Sequence, residues 1–154
     1  MADGALTARR RRRLIVGILT AVLVAAAAWY LYDPPWIANV TSGLRDWEED
    51  PSGTRFRWTA GRASFFVPSS ATEMTLPLRA VFSAPDGRPV TVKLSVDDRW
   101  LADVAIADVS VWTRTTVPLP RQRTHRSHRR VELRVSRTTG PYNLGVQLGE
   151  PILR

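Results

Sequence analysis

Residues 74–101 read MTLPLRAVFSAPDGRPVTVKLSVDDRWL. Met74, Leu76, Leu78, Ala80 and Phe82 recur at period two, as do Val90, Val92, Leu94 and Val96, so each set lies on one face of a strand and faces a core. The intervening Ala84-Pro-Asp-Gly-Arg-Pro89 is a turn, and Asp97-Asp98 joins the second strand to Trp100-Leu101 as a tight hairpin. The alternation returns at Val131, Leu133 and Val135, and further strands are expected at 56–58, 63–67, 109–118 and 144–153. About eight short strands separated by turn residues predict an all-β domain, an antiparallel β-sandwich. Pro77 and Pro118 each remove a ladder donor and are expected at edges or bulges.

The other end of the chain obeys a different rule. Arg9, Arg10, Arg11, Arg12 and Arg13 run directly into LIVGILTAVLVAAAAWYLY, residues 14–32, 19 residues without a charge. As an α-helix this stretch is about 28 Å long, close to the hydrocarbon thickness of a bilayer. The arginines precede it, whereas Asp33 and a Pro-Pro pair follow it, so the charge bias keeps the N-terminus cytoplasmic and places the remainder outside. Trp29, Tyr30, Tyr32 and Trp36 form an aromatic belt for the outer interface. A cleavable signal peptide is the competing reading, with Ala26–Ala28 as its small residues, but the apolar run continues past them into bulky aromatics. The expected organisation is a basic cytoplasmic tail without structure (1–13), a transmembrane signal anchor (14–32), a juxtamembrane connector with a helical turn near 41–49 (33–53) and an exoplasmic β-sandwich (54–154). The location is the cell membrane, crossed once.

Composition narrows the chemistry. Cysteine is absent, which excludes disulfides, thiolate catalysis and cysteine-ligated zinc. The net charge of +8 owes most to the anchor arginines; from Asp33 onward the basic excess is only four, and the domain lies on the wrong side of the membrane for nucleic acid. Arginine outnumbers lysine 21 to 1, a pattern of GC-rich bacterial coding, which makes the Asn39-Val40-Thr41 sequon a chance match.

Several cues stand in a recurring order: Arg57-Trp58, Leu76-Pro77, the turn before 90–96, Trp112 ahead of Val117-Pro-Leu-Pro120, and Leu144-Gly-Val146 near the end. Together they resemble the extracytoplasmic jelly-roll β-sandwich, similar to carbohydrate-binding modules, that accompanies bacterial membrane glycosyltransferases and cell-envelope glycan proteins. The resemblance covers about residues 47–154. It implies a jelly-roll fold in a cell-envelope setting and, because the polytopic catalytic part is missing, an accessory role beside a membrane-protein partner such as a polytopic glycosyltransferase. No residue signature of an activity comes with it.

The residues offer two candidate surfaces. Arg121, Arg123, Arg126, Arg129 and Arg130 gather in one loop with both histidines, and guanidinium groups pair with phosphate or carboxylate, so the loop would suit an envelope glycan or a phosphate-bearing lipid. A solvated hairpin loop is the plainer alternative. Trp58, Trp100, Trp112 and Tyr142 suit stacking on sugar faces, and tryptophans in a small sandwich also serve as core. His125 and His128 lack a carboxylate or thiol nearby and do not make a metal site, and no cofactor motif is present. Asp97-Asp98 and Ser69-Ser70 read as turn chemistry rather than catalysis. The expected function is therefore non-catalytic: an envelope interaction or accessory subunit that recognises glycan, with an envelope hydrolase or transferase as the alternative of another class.

Overall fold

The computed structural model describes residues 3–83, 87–121 and 126–154, with side chains described from Arg11 onward. Two compact units follow each other along the chain, one ending at Pro35 and the other spanning Trp36–Arg154.

The first unit is a helix, α1 (Asp3–Tyr32), long and apolar enough to cross a membrane. Its leucines, isoleucines and valines are exposed. Thr20, the polar side chain in the run, returns its hydroxyl to the Val16 carbonyl at 2.9 Å and so brings no unmet donor into an apolar medium. Trp29, Tyr30 and Tyr32 are exposed at its C-terminal end. The helix runs back through the arginine cluster to Asp3, so the tail expected without structure is helical: Ala, Leu and Arg are strong helix formers and no proline interrupts them.

The second unit opens with a 3-10 turn, Ile37–Asn39, and then nine strands among the described residues: β1 (Ser42–Glu49), β2 (Arg55–Pro68), β3 (Glu73–Arg79), β4 (Val90–Val96), β5 (Arg99–Ile106), β6 (Thr113–Pro118), β7 (His128–Val135), β8 (Gln147–Gly149) and β9 (Ile152–Leu153). They form one curled sheet in the order β5-β4-β7-β2-β8-β3-β6, with β1 added to β2 and β9 to β3. All strand pairings are antiparallel.

The fold turns on β2. Its C-terminal half pairs with β7 from Arg62 to Pro68, and its N-terminal half pairs with β8 from Phe56 to Trp58, so this strand belongs to both layers. At the switch the Thr59 hydroxyl donates to the Val146 carbonyl at 3.0 Å and accepts from the Val146 N–H at 2.9 Å, fully buried. A Cβ on Gly145 would stand 2.5 Å from that hydroxyl, so this crossing admits no side chain. One layer is β5-β4-β7 with the second half of β2; the other is the first half of β2 with β8, β3 and β6. Apart from the β4–β5 hairpin, the connections from β2 to β8 pass between layers, as in a jelly roll. Met74, Leu76 and Leu78 of β3 and Val92, Leu94, Val131 and Leu133 of β4 and β7 close the core at 0% exposure, the alternation read in the sequence.

Three expectations change. Residues 42–49 form a strand in place of the helical turn, and the connector ascribed to 33–53 belongs from Trp36 onward to the β unit. Trp36, expected in the membrane belt, therefore starts that unit. The stretches 56–58 and 63–67 are one strand, whereas 144–153 is divided into β8 and β9. That division accommodates Pro77, an interior residue of β3: partners run from Thr75↔Ile152 to Leu78↔Leu148, and the ladder is open beside the proline. Pro118 ends β6, an edge strand, as expected. The turn at 84–89 lies partly outside the described residues.

Candidate functional site

Two of the five clustered arginines, Arg129 and Arg130, are met by carboxylates of the protein itself. Asp97 and Asp98 form the two-residue β4–β5 turn, both with positive φ (49° and 64°). Their carboxylates then reach across to β7. Asp97 accepts from the Arg129 Nε at 3.2 Å and the Arg130 N–H at 3.1 Å, and Asp98 pairs with the Arg130 guanidinium at 2.5 Å. Arg129 is 3% exposed and also donates to the Pro120 carbonyl at 2.5 Å. Arg129 and Arg130 lie in β7 rather than in a loop, and each already has an aspartate partner. Arg121 and Arg126 are exposed, and the Arg126 carbonyl accepts from Ser69. Arg123 and His125 lie outside the described residues. His128 meets the Ser127 hydroxyl through Nδ1 at 2.8 Å.

The aromatic candidates separate. Trp100 and Tyr142 are exposed; the Trp100 Nε1 donates to Asp103 at 3.0 Å, and the Arg45 guanidinium sits 5.1 Å from the Tyr142 ring centre. Trp58 and Trp112 are half-buried around Phe56, with centroids 6.3 Å and 6.2 Å from it. Arg79 lies 4.4 Å from the Trp112 ring centre and 5.6 Å from that of Phe56, and it donates to Asp50 at 2.9 Å and Gln147 at 2.6 Å. The second Asp50 oxygen closes the β1–β2 turn, accepting from the Ser52 N–H, the Ser52 hydroxyl and the Thr54 N–H. This cluster ties the turn to the sandwich and makes Trp58 and Trp112 structural first.

Beyond that tie lies a face that the sequence does not announce. Phe56 is buried, so Arg55 and Arg57 emerge together on the outer side of β2. Trp47 of β1 pairs in register with Arg57, and both guanidiniums lie over its ring, at 5.1 Å for Arg55 and 5.5 Å for Arg57. Trp47 is 43% exposed, so part of its surface stays open to solvent beside the two guanidiniums. β1 reaches this register through two irregularities, one between Leu44 and Trp47 and one at Gly43, where φ is 64° and a Cβ would stand 2.0 Å from the Arg62 carbonyl oxygen. Two grooves flank the Gly149-Glu150-Pro151 segment. One, of about 480 Å³, is lined by Asn39, Thr41, Trp47, Arg57 and Glu150; the other, of about 550 Å³, by Thr54, Arg55, Trp112, Arg114 and Glu150. An aromatic platform beside amide, hydroxyl, guanidinium and carboxylate groups is equipped to stack on a sugar ring and hydrogen-bond its hydroxyls.

The perturbed carboxylates are not proton donors in waiting. The Ser52 hydroxyl, opposed by burial and aided by the Thr54 N–H, Trp112 and the Ser52 N–H, holds Asp50 far below the usual carboxylate range. Glu132, 5% exposed, is likewise lowered, chiefly by the Arg62 hydrogen bond at 2.6 Å against the effect of burial, with Arg134 adding to it. The unfolded chain therefore binds more protons than the folded one below the ordinary carboxylate pKa, so both groups stabilise the fold above about pH 5 and lose that contribution as the solution is acidified. Calorimetry of residues 36–154 is expected to give a steady Tm from pH 6 to 8 and a progressive fall below about pH 4. Glu132→Gln is expected to flatten that fall; an unchanged slope would show that Glu132 titrates alike in both states.

No protein-family model matches the chain, and no curated protein is significantly similar to it in sequence. Among solved structures, a family 6 carbohydrate-binding module is similar over 75% of this chain and 86% of its own, at 11% identity and a TM-score of 0.46. CsCBM6-3 from Clostridium stercorarium, solved with cellobiose, is similar over 74% and 85%, at 8% identity and a TM-score of 0.45. A family 35 carbohydrate-binding module from an environmental isolate is similar over 73% and 86%, at 11% identity and a TM-score of 0.46. At such scores the likeness is loose, and what the site can do follows from its own residues.

Proposed function

We propose that the protein is a single-pass membrane protein whose β-sandwich recognises glycan at the cell envelope without catalysis, as an accessory to a separate polytopic membrane enzyme. The observation that carries the recognition step is the exposed Trp47 ring at the mouth of a groove whose polar lining comes from Asn39, Thr41, Arg57 and Glu150. Tethering is supported by the exposed apolar surface of α1, and the order of Arg9–Arg13 before it and Asp33 after it favours a cytoplasmic N-terminus. Anchorage raises the effective concentration of the domain near lipid-linked or wall glycan, so weak individual contacts suffice. The carboxylates with shifted pKa are lowered and bound in place, which favours binding over acid–base chemistry. A lipid or glycan anion held by residues 121–130 is the less favoured reading, because Asp97 and Asp98 already occupy Arg129 and Arg130.

The Trp36–Arg154 unit has its own core and is suited to a test in solution. Screened against envelope glycans, it is expected to bind a subset, and Trp47→Ala to weaken that binding about tenfold or more, the loss of one stacked aromatic anchor. The melting temperature should stay within a few degrees, since Trp47 lies outside the core. A silent screen, or binding indifferent to Trp47→Ala, would sink the proposal.

A further inference from the structure

We infer that the glycan read at this face is acidic, carrying a carboxylate or phosphate group that seats against Arg55 and Arg57 beside Trp47; the inference rests on the glycan reading above and adds the charge of the ligand.

The sandwich treats its arginines in two ways. Arg62, Arg79, Arg129, Arg130 and Arg134 each have a carboxylate partner. Arg45, Arg55, Arg57 and Arg114, on the Trp47 side, have no ion-pair partner among the described residues. Arg55 and Arg57 stand two residues apart on one face of β2, about 7 Å along the strand, and both approach the same indole. Bringing two like charges to one ring is unfavourable. The ring quadrupole offsets part of it.

Arg57 is also held in place. It donates through Nε to the Arg45 carbonyl and through Nη2 to Thr41 Oγ1 at 3.4 Å and the Leu44 carbonyl at 3.5 Å. Those acceptors fix the guanidinium plane without cancelling its charge, so little side-chain entropy is left to lose on meeting an anion. Among the described residues Glu150 is the carboxylate that lines the grooves, against Arg57 in the first and Arg55 and Arg114 in the second, and Glu49 of β1 stands opposite Arg55 in register without forming an ion pair with it. Three guanidiniums, Arg55, Arg57 and Arg114, face two carboxylates, Glu49 and Glu150, so the balance stays positive, and Glu150 remains as an acceptor for sugar hydroxyls. A neutral glycan would satisfy the platform and leave the paired charges unmet. An acidic one satisfies both.

The test uses residues 36–154 and matched glycan pairs: polygalacturonate with its methyl ester for the carboxylate, and phosphorylated with unphosphorylated mannan for the phosphate, beside the envelope screen. The acidic member of at least one pair is expected to bind tenfold or more tighter than its neutral partner, with the ratio shrinking as salt is raised. The pair that shows the ratio identifies the anion. Arg57→Gln and, because Arg57 also braces β1, the exposed Arg55→Gln are each expected to weaken the acidic member more than the neutral one and so bring the ratio toward one. Equal binding of acidic and neutral members, or a ratio that survives both variants, would overturn the inference and leave glycan recognition standing. No binding in the pairs or the screen would overturn both.

Discussion

Replacing Arg79 by methionine is expected to remove about 2 kcal/mol of stability from the β unit, the usual scale for losing charged hydrogen bonds in a partly buried cluster. Methionine retains the stem that packs between Phe56 and Trp112 but supplies no donor. Gln147, 5% exposed, then loses the partner of its Oε1, and the turn carboxylate at Asp50 loses its cation. The consequence is local as well as global, since the β1–β2 turn is joined to the sandwich through this arginine and the Trp112 N–H. In a domain of this size the midpoint should fall by about 10 °C. Arg79→Lys should recover only part of the loss, because an ammonium cannot hold two acceptors in one plane while lying over an indole. Denaturant unfolding of residues 36–154 checks it, and a change below about 0.5 kcal/mol would mean the cluster is a surface ornament.

The second large effect concerns α1. Leu19→Arg together with Leu23→Arg places two guanidiniums in the middle of the apolar run, each opposing insertion by about 2.5–3.5 kcal/mol. The full-length chain is expected to resist alkaline extraction from membranes and to keep its intact mass of 17.2 kDa, and the double variant to leave the membrane fraction. A mature chain lacking residues up to about 28 would identify the helix as a cleaved signal instead.

The sandwich was legible where strands are buried on one face. β3, β4 and β7 alternate because every second residue enters the core, and the Asp97-Asp98 turn carries its chemistry in two adjacent letters. β1 was not legible. Only Leu44 of its eight residues is even partly buried, so no hydrophobic period marks it, and its acidic stretch reads as a connector. The Trp47 platform was hidden for the same reason: its arginines lie on the next strand, in a register set by two irregularities in β1, at Gly43 and between Leu44 and Trp47. Arg129 and Arg130 show the opposite case. A run of arginines looks available for an anion until the fold brings Asp97 and Asp98, 32 residues away, onto it. Trp58 and Trp112 fell between the two readings, half-buried around Phe56 with Trp112 still lining a groove.

The most direct test of the account is to map a bound glycan on the isotope-labelled 36–154 segment by amide and indole chemical shifts. The predicted result is a set of perturbations centred on the Trp47 indole and the strand residues Arg55 and Arg57, extending to Gly149 and Glu150. Perturbations centred instead on Trp100 and the Asp97-Asp98 turn, with Trp47 unmoved, would contradict it.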